Sequence, residues 1–295
     1  MIDKEFAKML SCPLDSSVAL RLIDIVEEND RIISGNLQCT HCDREYTIAN
    51  GIPDLFPGEE VRTVVGESEF EKWSSALDVF IEWRKKTWTD PLLKDIARKS
   101  TDKLKKNFFE FAQIEPGMLL DIGGAGGYSR NFLPEGTIYH GLDPLPIPED
   151  VKEFRFARGV GEFIPFMDSV FDSVQVLESM DHFISPARFI DEAARVLKPG
   201  GKLYISQDID EHEPKRTTGQ KIKNLAGYIL KGDFKSITEK AKMEIAGRRK
   251  VNPEKSHTQH FTEESILKLS AKKFDVVATL KYGSSFFLHQ CKNQP

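Results

Sequence analysis

The chain has 295 residues with a formal net charge of -5 at pH 7, and 40% of its residues are hydrophobic and 29% charged. This length allows one large domain and a small one, and the composition is that of a globular protein. The sequence has no apolar run of about 18 residues and no recognisable leader, so we expect no membrane span and a cytoplasmic location.

Three of the four cysteines lie in the first fifty residues, which favours metal chemistry in a reducing compartment over a disulfide framework. Cys12 and Asp15 fall at one turn, and Cys39 and Cys42 fall at another. Two such knuckles on adjacent hairpins are predicted to bring four ligands to one tetrahedral centre. Residues 1–58 resemble short zinc-ribbon domains, in which a second cysteine stands where this chain has Asp15.

The resemblance implies a structural zinc ion, with Cys12, Asp15, Cys39 and Cys42 as the metal ligands. His41 is an alternative fourth ligand. The other interpretation is a ribbon that has lost its metal and is held together by its apolar residues.

Residues 59–112 carry aromatic side chains at irregular helical intervals, with Pro91 as an interruption. We predict a helical connector of two or three helices that packs on a sheet and partly covers the mouth of a site at the sheet edge. Most of the aromatic side chains are interpreted as core residues. Lys103, Lys105 and Lys106 are interpreted as a solvated helix face.

Residues 118–133, MLLDIGGAGGYSRNFL, combine a short apolar run that contains Asp121 with a glycine-rich turn, and we predict a strand, a turn and a helix. Glycines allow positive φ angles and close approach of a ligand to the backbone, and a helix amino terminus favours negative charge. Residues 137–142 read as a second strand, which ends at Asp143, 22 residues after Asp121. An acid at this spacing accepts hydrogen bonds from ribose hydroxyls, so a nucleotide-like ligand is indicated.

Further strands near residues 173–177 and 202–206 flank a predicted helix at 186–197, which completes a repeated βα alternation. The motifs LLDIGGAGGYSRNFL, GLDP, GEFIPF, SVFDSVQVLESMDHF and ARVLKPGGKLYIS together resemble class I S-adenosylmethionine-dependent methyltransferases of the small-molecule type. The resemblance covers roughly residues 105–295.

The resemblance implies S-adenosyl-L-methionine as the cofactor and a set of binding residues at the carboxyl ends of the strands. Two positions depart from the family pattern: Ala125 replaces the middle glycine of the turn, and Val160 stands where many members have an acid that faces the adenine amine. The implied cofactor-binding residues are Asp121, Gly123, Ala125, Gly127, Asp143, Gly161, Glu162, Phe163 and Glu178.

Three histidines are candidate catalytic residues, because histidine titrates near neutral pH. His182 follows the fourth strand, where packing between strand and helix is the alternative role, and His257 and His260 precede a late helix. Thr262 begins that helix, but Ser265 stands where a glutamate or glutamine would complete a capping box, so an incomplete box is predicted.

Residues 215–255 contain twelve Lys and Arg residues against four Asp and Glu, with an apolar stripe at helical spacing. We interpret residues 207–260 as a basic lid insertion. Its lysines are either solvated or turned toward an anionic substrate, a membrane surface or nucleic acid.

We therefore predict an α/β protein with a doubly wound, Rossmann-like methyltransferase sheet. The predicted domains are a zinc-ribbon-like domain at 1–58, a helical connector at 59–112 and the methyltransferase domain at 113–295. The predicted function is methyl transfer to an oxygen or nitrogen of a small or lipid-like metabolite. An RNA methyltransferase that holds nucleic acid with the ribbon and basic lid is one alternative, although the acidic net charge opposes it. A non-catalytic, cofactor-binding adaptor is the other.

Overall fold

The computed structural model describes residues 2–89, 91–124, 126–145, 154–210 and 258–293. These residues form two β-sheets, one of five strands and one of seven. The strands are β1 (Ser11–Cys12), β2 (Asp15–Glu28), β3 (Arg31–Cys39), β4 (Glu45–Ala49), β5 (Ile52–Pro53), β6 (Met118–Ile122), β7 (Ile138–Asp143), β8 (Arg155–Arg158), β9 (Phe171–Leu177), β10 (Leu197–Asp208), β11 (Phe274–Tyr282) and β12 (Ser285–Lys292). The helices are α1 (Lys4–Met9), α2 (Glu60–Val65), α3 (Glu67–Thr89), α4 (Pro91–Ala112), α5 (Pro186–Val196) and α6 (Glu263–Ser270).

The five-stranded sheet is antiparallel and follows chain order, β1-β2-β3-β4-β5. The hairpin between β2 and β3 turns at Asn29 and Asp30, whose φ angles of 49° and 61° are left-handed values that Asn and Asp tolerate well. The next hairpin carries Cys39 at the end of β3 and Cys42 in the following turn. The sequence-predicted second knuckle is therefore a hairpin turn.

The seven-stranded sheet has the order β11-β12-β10-β9-β6-β7-β8. Strands β10, β9, β6, β7 and β8 run parallel, and β12 is antiparallel to both of its neighbours. The strand order reverses between β6 and β9, which is the position where open α/β sheets bind ligands. The predicted Rossmann-like α/β fold is confirmed.

The helix predicted after the glycine turn is shorter than expected. The chain forms a 3₁₀ helix at Tyr128–Phe132 and is extended again at Leu133, with ψ of 149°. Pro134 explains this end, because proline disfavours helical angles in the residue before it. The predicted helix at 186–197 is confirmed as α5, except that Leu197 already begins β10.

Helix α6 begins with a complete capping box, so the predicted incomplete box is wrong. The Thr262 hydroxyl accepts from the Ser265 backbone N–H at 3.1 Å, and the Ser265 hydroxyl accepts from the Thr262 N–H at 2.8 Å. A serine oxygen at this position thus satisfies the same donor that a glutamate or glutamine would reach. No helix within the described ranges has the length and apolar character needed to span a membrane.

The amino-terminal sheet contacts the seven-stranded sheet through backbone and side chains. The Leu55 N–H donates to the Arg158 carbonyl at 2.8 Å, and Leu10 forms an isolated antiparallel bridge with Phe166. Arg158 also donates to the Asp54 carboxylate at 2.6 Å. Buried apolar side chains of both sheets belong to one continuous cluster. The domain boundaries at residues 58 and 112 stay a prediction.

His140 on β7 lies among aromatic rings between the two sheets. Its ring centroid is 5.6 Å from that of Phe6, 6.4 Å from that of Phe166 and 5.4 Å from that of Phe171. The side chain is fully buried, and Nε2 has no hydrogen-bond partner among the described residues. Burial lowers the pKa of His140 to about 4, and the charge of Arg155 acts in the same direction. Burial in the folded protein therefore favours the neutral imidazole.

We expect the His140→Phe variant to lose less stability in mild acid than the wild type. Because the folded-state pKa lies below the value of about 6.5 for an unfolded histidine, the wild type should lose stability as the pH falls from about 6.5 towards 4, by up to about 3 kcal/mol. Urea unfolding at about pH 7 and pH 4.5 measures this loss. His260→Gln, at an exposed imidazole, is the control, and an equal acid loss in wild type and His140→Phe would contradict the prediction.

Candidate functional site

Three acids lie at the carboxyl ends of adjacent strands. Asp121 is near the end of β6, Asp143 ends β7, and Glu178 follows β9. Strand β6 pairs in parallel with both β7 and β9, so the three ends meet at one edge of the sheet. The structure therefore brings together acids that lie far apart in the chain.

The glycine turn after β6 depends on backbone angles and on close packing. Gly123 and Gly127 have left-handed φ angles of 73° and 69°. A Cβ atom at Gly123 would lie 2.6 Å from the Ser179 hydroxyl oxygen, which is closer than real Cβ atoms approach. Both observations require glycine at position 123. Ala125, the departure from the family pattern, lies outside the described residues.

Asp121 lies under this turn and is 1% exposed. Its Oδ2 accepts hydrogen bonds from the Ser129 hydroxyl at 2.5 Å and the Tyr139 hydroxyl at 2.6 Å. Its Oδ1 has no hydrogen-bond partner among the described residues. Burial raises the pKa of Asp121, and the two hydroxyl donors oppose that rise. One carboxylate oxygen thus anchors the local structure, and the other is left for a further donor.

Asp143 is also buried, and its Oδ1 accepts from the Leu145 backbone N–H at 2.8 Å. The Arg84 side chain on α3 lies near this carboxylate: burial lowers the pKa of Arg84, and the charge of Asp143 opposes the effect. The Arg84 guanidinium also lies 5.5 Å from the ring centroids of Phe80 and Trp83. The position of Arg84 has no signal in the sequence, because nothing in the spacing of the WRKK segment separates it from the neighbouring basic residues.

Lys105 on α4 does not lie on the solvated helix face on which the sequence analysis placed it. Unlike exposed Lys103 and Lys106, Lys105 is half-buried, and its amino group lies 5.0 Å from the ring centroid of Tyr128. Burial lowers the pKa of Lys105, and the negative charges of Asp121 and of other nearby acids oppose this decrease. The predicted solvated face is therefore wrong at Lys105, because this side of α4 turns toward the site.

The predicted adenine-side residues lie on a 3₁₀ helix, Gly161–Phe163, next to α5. The Glu162 carboxylate accepts from the backbone N–H groups of Ile184 at 2.6 Å and Ser185 at 3.2 Å. Burial raises the pKa of Glu162 to about 7. The Glu162 carboxylate therefore binds the backbone immediately before α5. A contact of Gly161, Glu162 or Phe163 with adenine stays a prediction.

Glu178 has a φ angle of 49°, which is uncommon for a residue with a side chain. Its carboxylate accepts a hydrogen bond from the Ser206 hydroxyl of β10. Burial raises the pKa of Glu178 to about 7, and the nearby charges of Asp208 and Asp181 add to the rise. Backbone strain and a perturbed acid at one position are typical of functional sites.

His182 lies beside these acids on a 3₁₀ helix, Met180–His182. Its ring centroid is 4.4 Å from that of Phe80, its Nε2 is 4.0 Å from Asp181 Oδ1, and its carbonyl accepts from Trp73 Nε1 at 3.1 Å. Helix α3 therefore packs over the sheet edge at which these acids lie, and its predicted role in covering a cofactor stays a prediction.

The other two candidate histidines, His257 and His260, precede helix α6 in the chain. His257 and the basic residues 215–255 lie outside the described residues. His260 is exposed, and its Nδ1 is 2.9 Å from Asp210 Oδ2. The backbone N–H groups of Thr258 and Gln259 donate to the Asp181 carbonyl at 2.7 Å and 3.1 Å, so this segment passes next to His182. Catalytic roles for the three histidines stay predictions.

The three amino-terminal cysteines form a compact group whose sulfur atoms lie within 4.8 Å of one another. Cys12 Sγ is 3.9 Å from Cys42 Sγ and 3.3 Å from the Tyr46 hydroxyl. The Cys42 backbone N–H donates to Cys39 Sγ at 3.5 Å. The Asp15 carboxylate is not part of this group and is hydrogen-bonded to the His41 imidazole instead. The structure thus brings together three of the four predicted ligands.

The pKa values of two of these thiols shift in opposite directions. Burial raises the pKa of Cys12 to about 11. Burial also acts on Cys39, but the backbone N–H groups of Cys42 and His41 outweigh it and lower the pKa of Cys39. Thiolates are the form that binds metal, and backbone donors to sulfur favour that form.

Residues 92–273 match a protein family described as a methyltransferase domain. An uncharacterized methyltransferase of Mycobacterium bovis is 36% identical over 93 residues, which cover 30% of this chain and 38% of the relative. A ubiquinone biosynthesis O-methyltransferase of Saccharophagus degradans is 30% identical over 115 residues, which cover 35% of this chain and 49% of the relative. The chain therefore spans less than half the length of these curated relatives.

Many solved structures are similar to this chain, among them the following two. One is the 1,6-didemethyltoxoflavin-N1-methyltransferase of Burkholderia thailandensis with bound 1,6-didemethyltoxoflavin and S-adenosylhomocysteine. The sequences are 15% identical, the TM-score is 0.48, and the match covers 75% of this chain and 90% of that chain. The other is a complex of the Haloferax volcanii Trm112 methyltransferase activator with a methyltransferase. The sequences are 14% identical, the TM-score is 0.48, and the match covers 67% of this chain and 94% of that chain.

We expect Gly123→Ala to weaken S-adenosylhomocysteine binding at least about tenfold, because the new Cβ would push Ser179 and the turn apart and strain a left-handed residue by about 1 kcal/mol. Isothermal titration calorimetry measures the affinity. Gly200→Ala is the matched control: Gly200 has the same φ of 73°, but a Cβ there meets nothing within 4 Å. Equal affinities for Gly123→Ala and Gly200→Ala would contradict a role of the turn in binding.

Proposed function

This chain belongs to the methyltransferase domain family, as the class I S-adenosylmethionine-dependent resemblance predicted, and we propose that it methylates an oxygen or nitrogen atom of a small or lipid-like metabolite. The observation that carries the proposal is the pair of buried acids, Asp121 and Asp143, at adjacent strand ends on the two sides of a glycine turn. Such a pair fits a nucleoside with a positively charged tail.

The residues present fit S-adenosylmethionine as the cofactor. Asp143 would hold the ribose hydroxyls, and Asp121 would anchor the turn that lines the methionine part. The buried Oδ1 of Asp121, which has no partner among the described residues, suits a cationic donor such as the methionine ammonium group. The glycine at position 123 keeps the backbone open to close approach.

S-adenosylmethionine, when bound, supplies a methyl group on a positively charged sulfur atom. Asp121 and Asp143 would hold this donor, and its positively charged sulfur would leave with the electrons of the carbon–sulfur bond as the acceptor's lone pair bonds to the methyl carbon. The protein's main task is to align the two molecules and to exclude water. For an acceptor that carries a proton, His182 is the proposed base, because its ring lies next to Asp181 at the end of β9.

The acceptor side of the site is aromatic. Phe80 of α3 stacks near Trp83 at 5.6 Å between ring centroids and approaches His182 at 4.4 Å. Rings of this kind favour a flat, largely apolar acceptor, and Arg84 above them favours one with an acidic or carbonyl oxygen. The name of the Saccharophagus degradans relative, a ubiquinone biosynthesis O-methyltransferase, is in keeping with such an acceptor.

The alternative functions lead to different outcomes. An RNA methyltransferase would transfer label from the methyl donor to RNA, with binding that weakens steeply as salt rises. An adaptor would bind the cofactor without turnover. The basic segment on which the RNA alternative depends lies outside the described residues, so labelled transfer to metabolite extracts and to RNA, tested side by side, is the experiment that separates the three functions.

We expect Asp143→Ala to weaken S-adenosylhomocysteine binding about tenfold to a hundredfold, because hydrogen bonds to a charged carboxylate contribute about 1.5–3 kcal/mol. Calorimetric titration of wild type and variant measures the change. Asp191→Ala is the control, since Asp191 is an exposed acid of α5 that pairs with Lys273 at 3.3 Å. A folded wild type that binds no S-adenosylhomocysteine would overturn the proposed cofactor.

We also propose that the amino-terminal ribbon holds a structural zinc ion. The distance of 3.9 Å between Cys12 Sγ and Cys42 Sγ is close to the edge of about 3.8 Å that zinc–sulfur bonds of about 2.3 Å give a tetrahedron. Thiolate sets select soft ions such as zinc. Asp15 is the fourth ligand that the zinc-ribbon resemblance implies, and it would exchange its contact with His41 for the metal.

We expect purified wild type to contain about one zinc per chain, and Cys39→Ser to contain almost none, because two remaining thiols and a carboxylate bind zinc far more weakly. Elemental analysis by mass spectrometry gives the zinc content. Cys291→Ser is the control, since Cys291 lies on β12 and is absent from the cysteine group. Zinc-free wild type with an unchanged melting temperature after chelation would contradict the proposal.

A further inference from the structure

Four polar side chains form a row across the seven-stranded sheet. Asp121 on β6 pairs with Gln175 on β9, Gln175 pairs with Tyr204 on β10, and Tyr204 pairs with His289 on β12. Directly paired residues point to the same face of a sheet, so the four side chains lie side by side. Three strand spacings of about 4.8 Å make the row about 14 Å long.

The row is buried beneath helix α4 and its aromatic residues. Tyr204 belongs to the apolar cluster that includes Phe108 of α4 and Phe287 of β12. Gln175 and Tyr204 are 0% exposed, and Asp121 is 1% exposed. A polar row in such surroundings is costly unless its hydrogen bonds are made.

Every member of the row has an atom without a hydrogen-bond partner among the described residues. These atoms are Asp121 Oδ1, Gln175 Nε2 and Oε1, Tyr204 Oη and His289 Nε2. Each such buried atom costs about 1–3 kcal/mol, and proteins satisfy clusters of them with ordered water. The row contains acceptors and donors in alternation, which is the chemistry that bridging water requires.

The row connects the candidate cofactor site with the protein surface. At its inner end, Asp121 lies under the glycine turn. At its outer end, the Tyr204 and His289 rings are 4.6 Å apart between centroids, and His289 is half-buried. The neighbouring surface pair is Lys202 and Glu115, with 2.8 Å between Nζ and Oε2.

Three other groups near Asp121 either donate hydrogen bonds to its Oδ2 atom or interact with its negative charge. Ser129 and Tyr139 donate to Oδ2. The Lys105 amino group of α4 faces the carboxylate as the nearby positive charge. On the β9 side, the amide of Gln175, which pairs directly with Asp121, is a neutral donor for Oδ1, and it leaves the second lone pair of this oxygen for the cofactor.

We propose that Gln175 and Tyr204 are positioning residues that, with ordered water along the row to His289, orient Oδ1 of Asp121 and keep this carboxylate ionised for the cofactor. The proposal rests on the proposed binding of S-adenosylmethionine at Asp121. Neither residue contacts the cofactor in this account, because both lie behind Asp121 in the sheet. Their effect reaches the cofactor through the orientation and charge of one acid.

The expected shift in the pKa of Asp121 follows from the groups that surround its carboxylate. Burial raises its pKa, and the Ser129 and Tyr139 hydroxyls oppose that rise, as does the neighbouring Gln175 amide, although its Nε2 makes no direct hydrogen bond with a described residue. Removing the amide donor should therefore raise the pKa further. A cationic cofactor tail requires the ionised acid, so its affinity should fall at a higher pH in the variant than in the wild type.

The experiment is a titration of S-adenosylhomocysteine into wild type, Gln175→Leu, Tyr204→Phe and Gln290→Leu at several pH values between about 5 and 8. Gln290→Leu is the matched control: Gln290 is a fully buried amide on β12, next to His289 but on the other face, and donates to the Ser270 hydroxyl at 2.8 Å. Near-ultraviolet circular dichroism checks the fold of each protein.

We expect the pH at which affinity falls by half to rise by about one unit in Gln175→Leu, which is a tenfold change in the ionisation equilibrium, and by less in Tyr204→Phe. Gln290→Leu should keep the wild-type midpoint. Tyr204→Phe preserves the ring, so it tests the row even where Gln175→Leu does not fold.

Two results would overturn the proposal. An unchanged midpoint in either folded variant of the row would show that the row does not act on Asp121, and an affinity lowered equally at every pH would assign Gln175 a packing role only. A wild type that binds no S-adenosylhomocysteine at any pH is a different failure, because it removes the proposed function itself.

Discussion

Parallel pairing of β6 with β7 and β9 is the constraint on which the candidate site depends. This pairing ends three neighbouring strands at one edge and reverses the strand order there, so Asp121, Asp143 and Glu178 converge although up to 57 positions separate them in the chain. A slip of one residue in either pair would turn the acids to the opposite face of the sheet. The apolar side chains that alternate with them, among them Leu120 and Ile122, hold the register because they belong to the main core.

The site concentrates carboxyl groups that are buried in the protein. Burial raises the pKa values of Asp121, Glu162 and Glu178, and each of these acids has hydrogen-bond donors that offset part of the desolvation. The donors come from different elements: hydroxyls for Asp121, backbone N–H groups for Glu162 and a serine of β10 for Glu178. These donors come together only in the folded protein, so the ionisation of the acids depends on the integrity of the fold.

The amino-terminal ribbon and the connector contribute to the same structure. Leu55 and Asp54 bind Arg158 of β8, so the outer strand of the large sheet is covered on its free side. Helix α3 binds the His182 carbonyl through Trp73 and brings Arg84 near Asp143. A disturbance of the ribbon or of α3 would therefore reach the strand ends through direct contacts rather than through a flexible link.

Elements with local signals could be predicted from the amino-acid sequence: the apolar strands, the glycine turn, the acid at the end of the second strand and the helix that begins at Pro186. The sequence also identified the cysteine turns, although Asp15 contacts His41 in the structure. The burial of Lys105, the approach of Arg84 to Asp143 and the row from Asp121 to His289 became visible only in the folded chain. The reason is physical: turn and strand signals depend on neighbours in the chain, whereas these contacts depend on strand register and helix packing between distant segments.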